Sequence, residues 1–294
     1  MRDQAERLRQ IVKDMRKQRA EAEKRTAKVV AITSGKGGVG KTSFTVNLAI
    51  CLSNMGYRVV IIDGDIGLSN VDIMLGITPK YDLSYFINNQ KDFNEIAVEG
   101  PCGIRFISGG SGLRELTDLS GWRIDQLLSR VKKLDEEADI ILIDTGAGIS
   151  DSVMKMILAA DETILIVTPE PTSIMDAYAL VKLASLQNEN IRLRLVVNKA
   201  ENFFEAKQIL EKFSNAAKRF LNVELDKLGY ICNDAHVTRS VKQQIPYTIC
   251  YPKSNASKQV QSIACRFNKL SDEDFTQKGG GLTTYIQRLV NIFK

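Results

Sequence analysis

Eight consecutive residues, Gly35-Lys36-Gly37-Gly38-Val39-Gly40-Lys41-Thr42, carry the most legible chemistry in this chain. They fit G-x-x-x-x-G-K-[ST]. Glycines at these spacings let successive backbone N–H groups close around phosphate oxygens, and a helix starting at the end of the loop adds its N-terminal partial charge. Lys41 is placed to reach the β- and γ-phosphates of a nucleotide, and the Thr42 hydroxyl to bind Mg²⁺. Ser43 completes this nucleotide-binding set. Two carboxylate stretches accompany it. Arg58 to Asp63 reads as a buried strand leading into Asp63-Gly64-Asp65, and Asp139 to Ile143 as another, closed by Asp144. Acids at the C-terminal ends of strands in an open parallel sheet face the phosphate loop, and one that closes an apolar strand is suited to hold Mg²⁺ through a water.

The elements that must position these residues follow from periodicity. Val29 to Ile32 is an apolar run, and Thr42 to Met55 has helical character up to Gly56. Tyr81 to Gly112 is less regular, with a strand near Ile104–Ser108 running into a glycine turn. Helical spacing returns from Trp122 to Leu134. Beyond Asp144 the alternation continues: strand Thr163–Val167, helix Met175–Leu186, strand Leu193–Asn198, helix Phe204–Phe220, strand Lys227–Cys232. Short apolar strands alternating with helices predict an α/β fold, a parallel sheet covered on both faces by right-handed crossovers.

Length and composition bound the answer. At 294 residues the chain suits one α/β domain with extensions. No apolar run reaches the length of a membrane span, and the charged first 28 residues do not read as a secretory signal. Five cysteines lie far apart without a C-x-x-C pair, which suits reduced thiols in the cytoplasm. The net charge of +5 sits at the ends: residues 1–28 carry +5 and 278–294 carry +3, leaving the rest slightly acidic. The termini are therefore expected to meet partners or a surface, and the body lacks the basic character of a dedicated nucleic-acid binder. His236, the lone histidine, reads as a surface or capping residue.

The loop places a second lysine, Lys36, directly after its first glycine, and here the chain resembles the deviant Walker A ATPases (MinD, ParA, nitrogenase iron protein), whose loop reads K-G-G-x-G-K-[ST]. The resemblance implies a three-layer α/β/α P-loop NTPase that takes ATP or ADP with Mg²⁺ and forms an ATP-dependent homodimer, with Lys36 reaching the partner's nucleotide. Asp63-Gly64-Asp65-Ile66-Gly67-Leu68-Ser69-Asn70-Val71-Asp72 resembles the MinD-type switch I. That match gives Asp65 the attacking water and Asp63 a supporting place in the Mg²⁺ shell with Thr42 and Asp144. Asp144-Thr145-Gly146-Ala147-Gly148 resembles switch II, with Gly146 where the family commonly has proline. The segment from Thr168 to Ser173, with Asp176, resembles the loop that approaches the partner subunit. Asn198-Lys199 resembles the base-recognition motif, and Tyr230-Ile231-Cys232-Asn233-Asp234 the opposite wall of the base pocket, where Cys232 replaces the usual proline.

Both ends carry further resemblances. Asp3-Gln4-Ala5-x-x-Leu8-Arg9 opens a helical segment with a narrow apolar stripe and resembles the activation helix of the FlhG (YlxH) flagellar regulators. In that family the helix stimulates the signal-recognition-type GTPase FlhF, a role that carries onto Gln4, with Asp3, Leu8 and Arg9 as partner contacts. After residue 270 a polar, glycine-rich link (271–281) leads to residues 282–294. There Leu282, Tyr285, Ile286, Leu289, Val290 and Phe293 form an apolar stripe opposite polar residues. A tethered, basic, amphipathic end suits an anionic membrane surface and resembles the MinD targeting tail; packing on the domain core is the alternative. The expected layout is an N-terminal extension (1–28), an ATPase domain (29–270), the link and the terminal helix.

The expected function is a slow Mg²⁺-dependent switch ATPase of the FlhG type, acting on flagellar number or placement, with flagellar switch-ring proteins as further candidate partners. A ParA-like partitioning ATPase binding DNA and a MinD-like regulator of cell division are the alternatives; an Fe–S carrier needs cysteine spacing absent here.

Overall fold

The computed structural model describes residues 26–65, 70–112, 115, 122–274 and 280–293. In chain order the elements are β1 (Lys28–Thr33), α1 (Lys41–Asn54), β2 (Val59–Gly64), α2 (Val71–Leu75), α3 (Leu83–Ile87), α4 (Phe93–Ile96), β3 (Val98–Glu99) and β4 (Arg105–Ile107). Then come α5 (Trp122–Glu137), β5 (Ile140–Thr145), α6 (Asp151–Ala159), β6 (Glu162–Val167), α7 (Pro171–Gln187), β7 (Leu193–Ala200), α8 (Phe203–Leu221) and β8 (Leu225–Cys232). The chain finishes with α9 (Ala235–Gln243), α10 (Tyr247–Cys250), α11 (Asn255–Asp274) and α12 (Gly281–Phe293).

The eight strands form one sheet in the order β3-β4-β2-β5-β1-β6-β7-β8, parallel throughout except for the β3–β4 edge pair. Strands β1, β2, β5 and β6 are buried along their whole length, as expected where helices cover both faces and the sequence runs apolar without alternation. Helix α1 is buried without a break from Phe44 to Leu52. It lies between the sheet and α11 and so carries no one-sided stripe. On the other face α5, α6 and α12 pack together over the β1–β5 region. The α/β architecture read from the sequence is the one observed.

Two boundaries differ from expectation. Residues 271–274 of the expected link continue α11. The expected membrane stripe faces inward instead: Leu282, Tyr285, Ile286, Leu289 and Val290 are each at most 6 % exposed, set among Phe86, Leu127, Val131 and Ile143. Asp135 on α5 fixes the start of α12, accepting from the Leu282 and Thr283 backbone N–H groups and from the Thr283 hydroxyl. Asp161 accepts from the Gly280 N–H and from Arg288. The physical reason is that the α5–α6 groove offers this stripe the same dehydration a bilayer would, without leaving the molecule. Of the Phe293 side chain nothing is described. The Asp3, Gln4, Leu8 and Arg9 expectations lie outside the described residues.

Candidate functional site

Strand β1 stops at Thr33 and the chain turns through Gly35–Gly40 into α1, so the loop sits at the carboxyl end of the sheet's central strand. Gly38 and Gly40 take left-handed backbone conformations, φ 78° and 92°. Gly35 is required for a different reason: a Cβ there would lie 2.3 Å from the Asp176 carbonyl carbon, because the first turns of α7 press against the loop.

Thr42 and Thr45, one helical turn apart, both donate to Asp144 at the end of β5, at 2.6 Å to Oδ2 and 2.9 Å to Oδ1. Asp144 is 1 % exposed. Burial pushes its carboxyl up to about 6, against the pull of Lys41 and the two hydroxyls and with the help of neighbouring Asp63. A hydroxyl beside a buried carboxylate is a hard-oxygen donor set that fits Mg²⁺, and a cation there would offset the charge that burial penalises. Thr45 had no motif to announce it; its position one turn after Thr42 was the only available signal.

Asp63 faces Asp144 across the β2–β5 register. Its Oδ1 accepts from the Asp65 N–H and its Oδ2 from the Asn70 and Val71 N–H groups. These bonds give Asp63 a structural part: it holds the switch I backbone, both oxygens accepting from N–H donors. Asp65 hangs beside switch II, where a Cβ added to Gly146 would sit 3.4 Å from its carboxylate. Glycine at 146 thus leaves the space beside Asp65 open.

Lys36 is gathered in at the loop's rim by Glu170 (2.8 Å), which precedes α7, and the Thr172 hydroxyl (2.9 Å) in that helix's first turn. The ion pair holds the Glu170 carboxyl below its ordinary range.

A cavity of about 70 Å³ opens beside the loop, lined by Gly40, Ser43, Asn198, Lys199, Cys232 and Asp234 among others. It brings the expected base-pocket residues together. Ser43 Oγ is buried with no hydrogen-bond partner among the described residues, so a ligand oxygen is what would satisfy it. Gln259 grips Cys232 at both its N–H and its sulfur, taking up the wall position expected of a proline. Asp234 sits partly buried, which opposes ionisation, yet the N–H groups of His236 and Ala256 keep its carboxyl below the usual range. It caps α9 and steadies the start of α11 while lining the pocket; His236 contributes an N–H and a ring contact to it, as a capping residue should. Among the described residues no group of three or more His, Cys, Asp or Glu could hold a metal ion, and all five cysteines are free thiols.

Comparison with known proteins agrees with this geometry. The family model described as "ParA: NUBPL iron-transfer P-loop NTPase" matches residues 25–268. The chain is 36 % identical to the antiactivator FleN of Pseudomonas aeruginosa over 262 residues, covering 89 % of this chain and 93 % of that protein. It is 32 % identical to the flagellum site-determining protein YlxH of Helicobacter pylori over 270 residues, 91 % of each. Among solved structures, MinD in the MinC:MinD cell division complex of Aquifex aeolicus superposes with a TM-score of 0.67 at 25 % identity, covering 83 % of this chain and 96 % of that one. With its phosphate loop, second lysine and buried Thr42–Asp144 pair in place, the chain belongs to the ParA/MinD family of ATP-binding P-loop ATPases, and flagellar regulators are among its relatives.

Proposed function

We propose that this protein is an ATP-driven switch that sets flagellar number and placement by cycling between monomer and dimer. The observation that carries the reading is the nucleotide rim. Lys36 stands there on the loop, and the exposed apolar residues Ile149 (46 %) and Met175 (67 %) flank it on switch II and α7, a surface suited to a second copy. In this cycle Lys41 and Ser43 bind the phosphates, and Asp65 orients the attacking water. Mg²⁺, held by Thr42 and Asp144, neutralises charge on the β- and γ-phosphates when bound. Lys36 exchanges Glu170 for the partner's nucleotide. Hydrolysis is slow, because the product of such a switch is a state rather than a metabolite.

The ends translate that state. Residues 3–9 engage an FlhF-type GTPase, with Gln4 ordering water in its site. Helix α12 leaves its groove and lies on an anionic membrane surface, so that the protein is cytoplasmic as a monomer and peripheral as a dimer. Supporting this reading are the FleN and YlxH similarities along most of the chain and the amphipathic pattern of α12.

Light scattering with Mg²⁺-ATP tests the core of the proposal. Wild type is expected to shift from monomer to dimer, Lys36→Ala to stay monomeric, and Asp65→Ala to persist as a dimer because hydrolysis no longer ends the state. Equal monomer populations for the two variants in ATP would overturn these roles.

A further inference from the structure

The phosphate loop is gripped from outside by three side chains, each on a backbone carbonyl. Ser34 Oγ donates to the Lys36 carbonyl at 2.8 Å, Lys199 Nζ to Gly38 at 2.7 Å, and Asn198 Nδ2 to Val39 at 2.7 Å. A trans peptide unit is a rigid plane in which the N–H points opposite to the preceding C=O. Drawing the carbonyls of residues 36, 38 and 39 toward these donors therefore turns the N–H groups of Gly37, Val39 and Gly40 to the other side. Those are N–H groups of the kind that must converge on phosphate oxygens.

The grip is built tightly at the end of β7. The Asn198 side-chain oxygen accepts from the Lys199 N–H at 3.0 Å, which fixes the amide's orientation. Gly40 is packed against that amide, since a Cβ there would meet Asn198 Nδ2 at 2.5 Å. Lys199 adopts φ +60°, a left-handed conformation uncommon for lysine. Its ammonium group spends a full-length side chain on one loop carbonyl.

We propose that Asn198 and Lys199 are positioning residues for the phosphate cradle: by holding the carbonyls of Val39 and Gly38 they preorganise the loop's N–H groups and so raise affinity for the phosphate chain. This rests on the nucleotide-switch reading of the same site and adds to the base-recognition role expected of Asn198. Preorganised donors save the ligand the cost of ordering the loop.

Calorimetric titration of the full chain with inorganic pyrophosphate, ATP and GTP, each with Mg²⁺, separates the two roles. In Lys199→Met the stem remains and the donor is lost. Its affinity for pyrophosphate and for ATP is expected to fall by the same factor, about 3- to 10-fold, with the ATP-to-GTP ratio unchanged and the melting temperature of the free protein unmoved. Asn198→Ala is expected to weaken pyrophosphate binding as well, because the Val39 carbonyl loses its donor. Unchanged pyrophosphate binding with weakened ATP binding, or a collapsed ATP-to-GTP ratio, in Lys199→Met would overturn the assignment in favour of base reading. Wild type that binds ATP and pyrophosphate while neither variant changes would overturn the positioning role alone. Wild type that binds none of the three would overturn the nucleotide reading and this inference together.

Discussion

Asp144 shows how one residue trades stability for chemistry. Its carboxyl is almost wholly buried and pushed up to about 6 from the usual 3.8. In the ligand-free protein the charged form is thus penalised at pH 7. The native state holds this proton more firmly than the unfolded chain does, so the penalty shrinks as pH falls below about 6 and is gone only below the ordinary carboxylate value of 3.8. Asp144→Asn keeps an acceptor for one of the two threonine hydroxyls and turns an N–H donor to the other, without the charge. It is expected to melt above wild type at pH 7 and to keep only about half of that advantage at pH 5, while Mg²⁺-dependent ATP binding is lost. Melting curves at the two pH values check the sign, and a variant that melts below wild type at both would refute it. Asp144 and Thr42 were legible in the sequence because their chemistry imposes a spacing. Thr45 and the grip of Lys199 were not, because a hydroxyl in a helix and a lysine after a strand have many uses, and only the fold decides which atom they meet.

Among the elements, α12 marks where periodicity stops being informative. An apolar stripe at helical spacing reports that a helix will be dehydrated on one side, without naming the partner that dehydrates it. The structure supplies the groove between α5 and α6, and Asp135 as a cap borrowed from another helix. The fit is imperfect. The Tyr285 hydroxyl is buried with no partner among the described residues, and a wholly apolar cavity of about 30 Å³ lies beneath the helix. A desolvated, unpaired hydroxyl costs about 1–3 kcal/mol. Tyr285→Phe is therefore expected to raise the unfolding free energy by about 1 kcal/mol, whereas Asp135→Ala, which orphans the first N–H groups of α12, is expected to lower it. Urea unfolding of the three proteins provides the comparison, and a less stable Tyr285→Phe would show that the hydroxyl has a partner. The core strands, by contrast, were readable as whole units: β1, β2, β5 and β6 are continuous apolar runs because both faces of the sheet are covered. The short helices α2 to α4 and the antiparallel β3 edge carry too few residues for any period to emerge.

For the whole molecule the question is what the proposed move to a membrane would ask of a helix that is docked. Moving α12 from its groove to a bilayer exchanges one apolar environment for another, so the hydrophobic term of the helix's own face, about 25 cal/mol per Å² in either place, largely cancels, while the vacated groove exposes Phe86, Leu127 and Val131 to water at the same cost per Å². The move also forfeits the Asp135 cap and the Asp161–Arg288 pair. It regains attraction of Arg288 to anionic headgroups, about 1 kcal/mol per cation near the surface. One helix is therefore expected to remain docked. A dimer changes the balance without new contacts: once one helix is on the membrane, the second binds at high effective concentration, and avidity rises by about 10²–10⁴-fold. Co-sedimentation with phosphatidylglycerol vesicles is accordingly expected to require Mg²⁺-ATP in wild type and to be lost when residues 282–294 are deleted, with Asp135→Ala binding at lower protein concentration because its helix is already loosened. Vesicle binding of equal strength in ADP and ATP would break the link between dimer and membrane. Binding in neither, together with an inert Asp135→Ala, would leave α12 as a permanent part of the core.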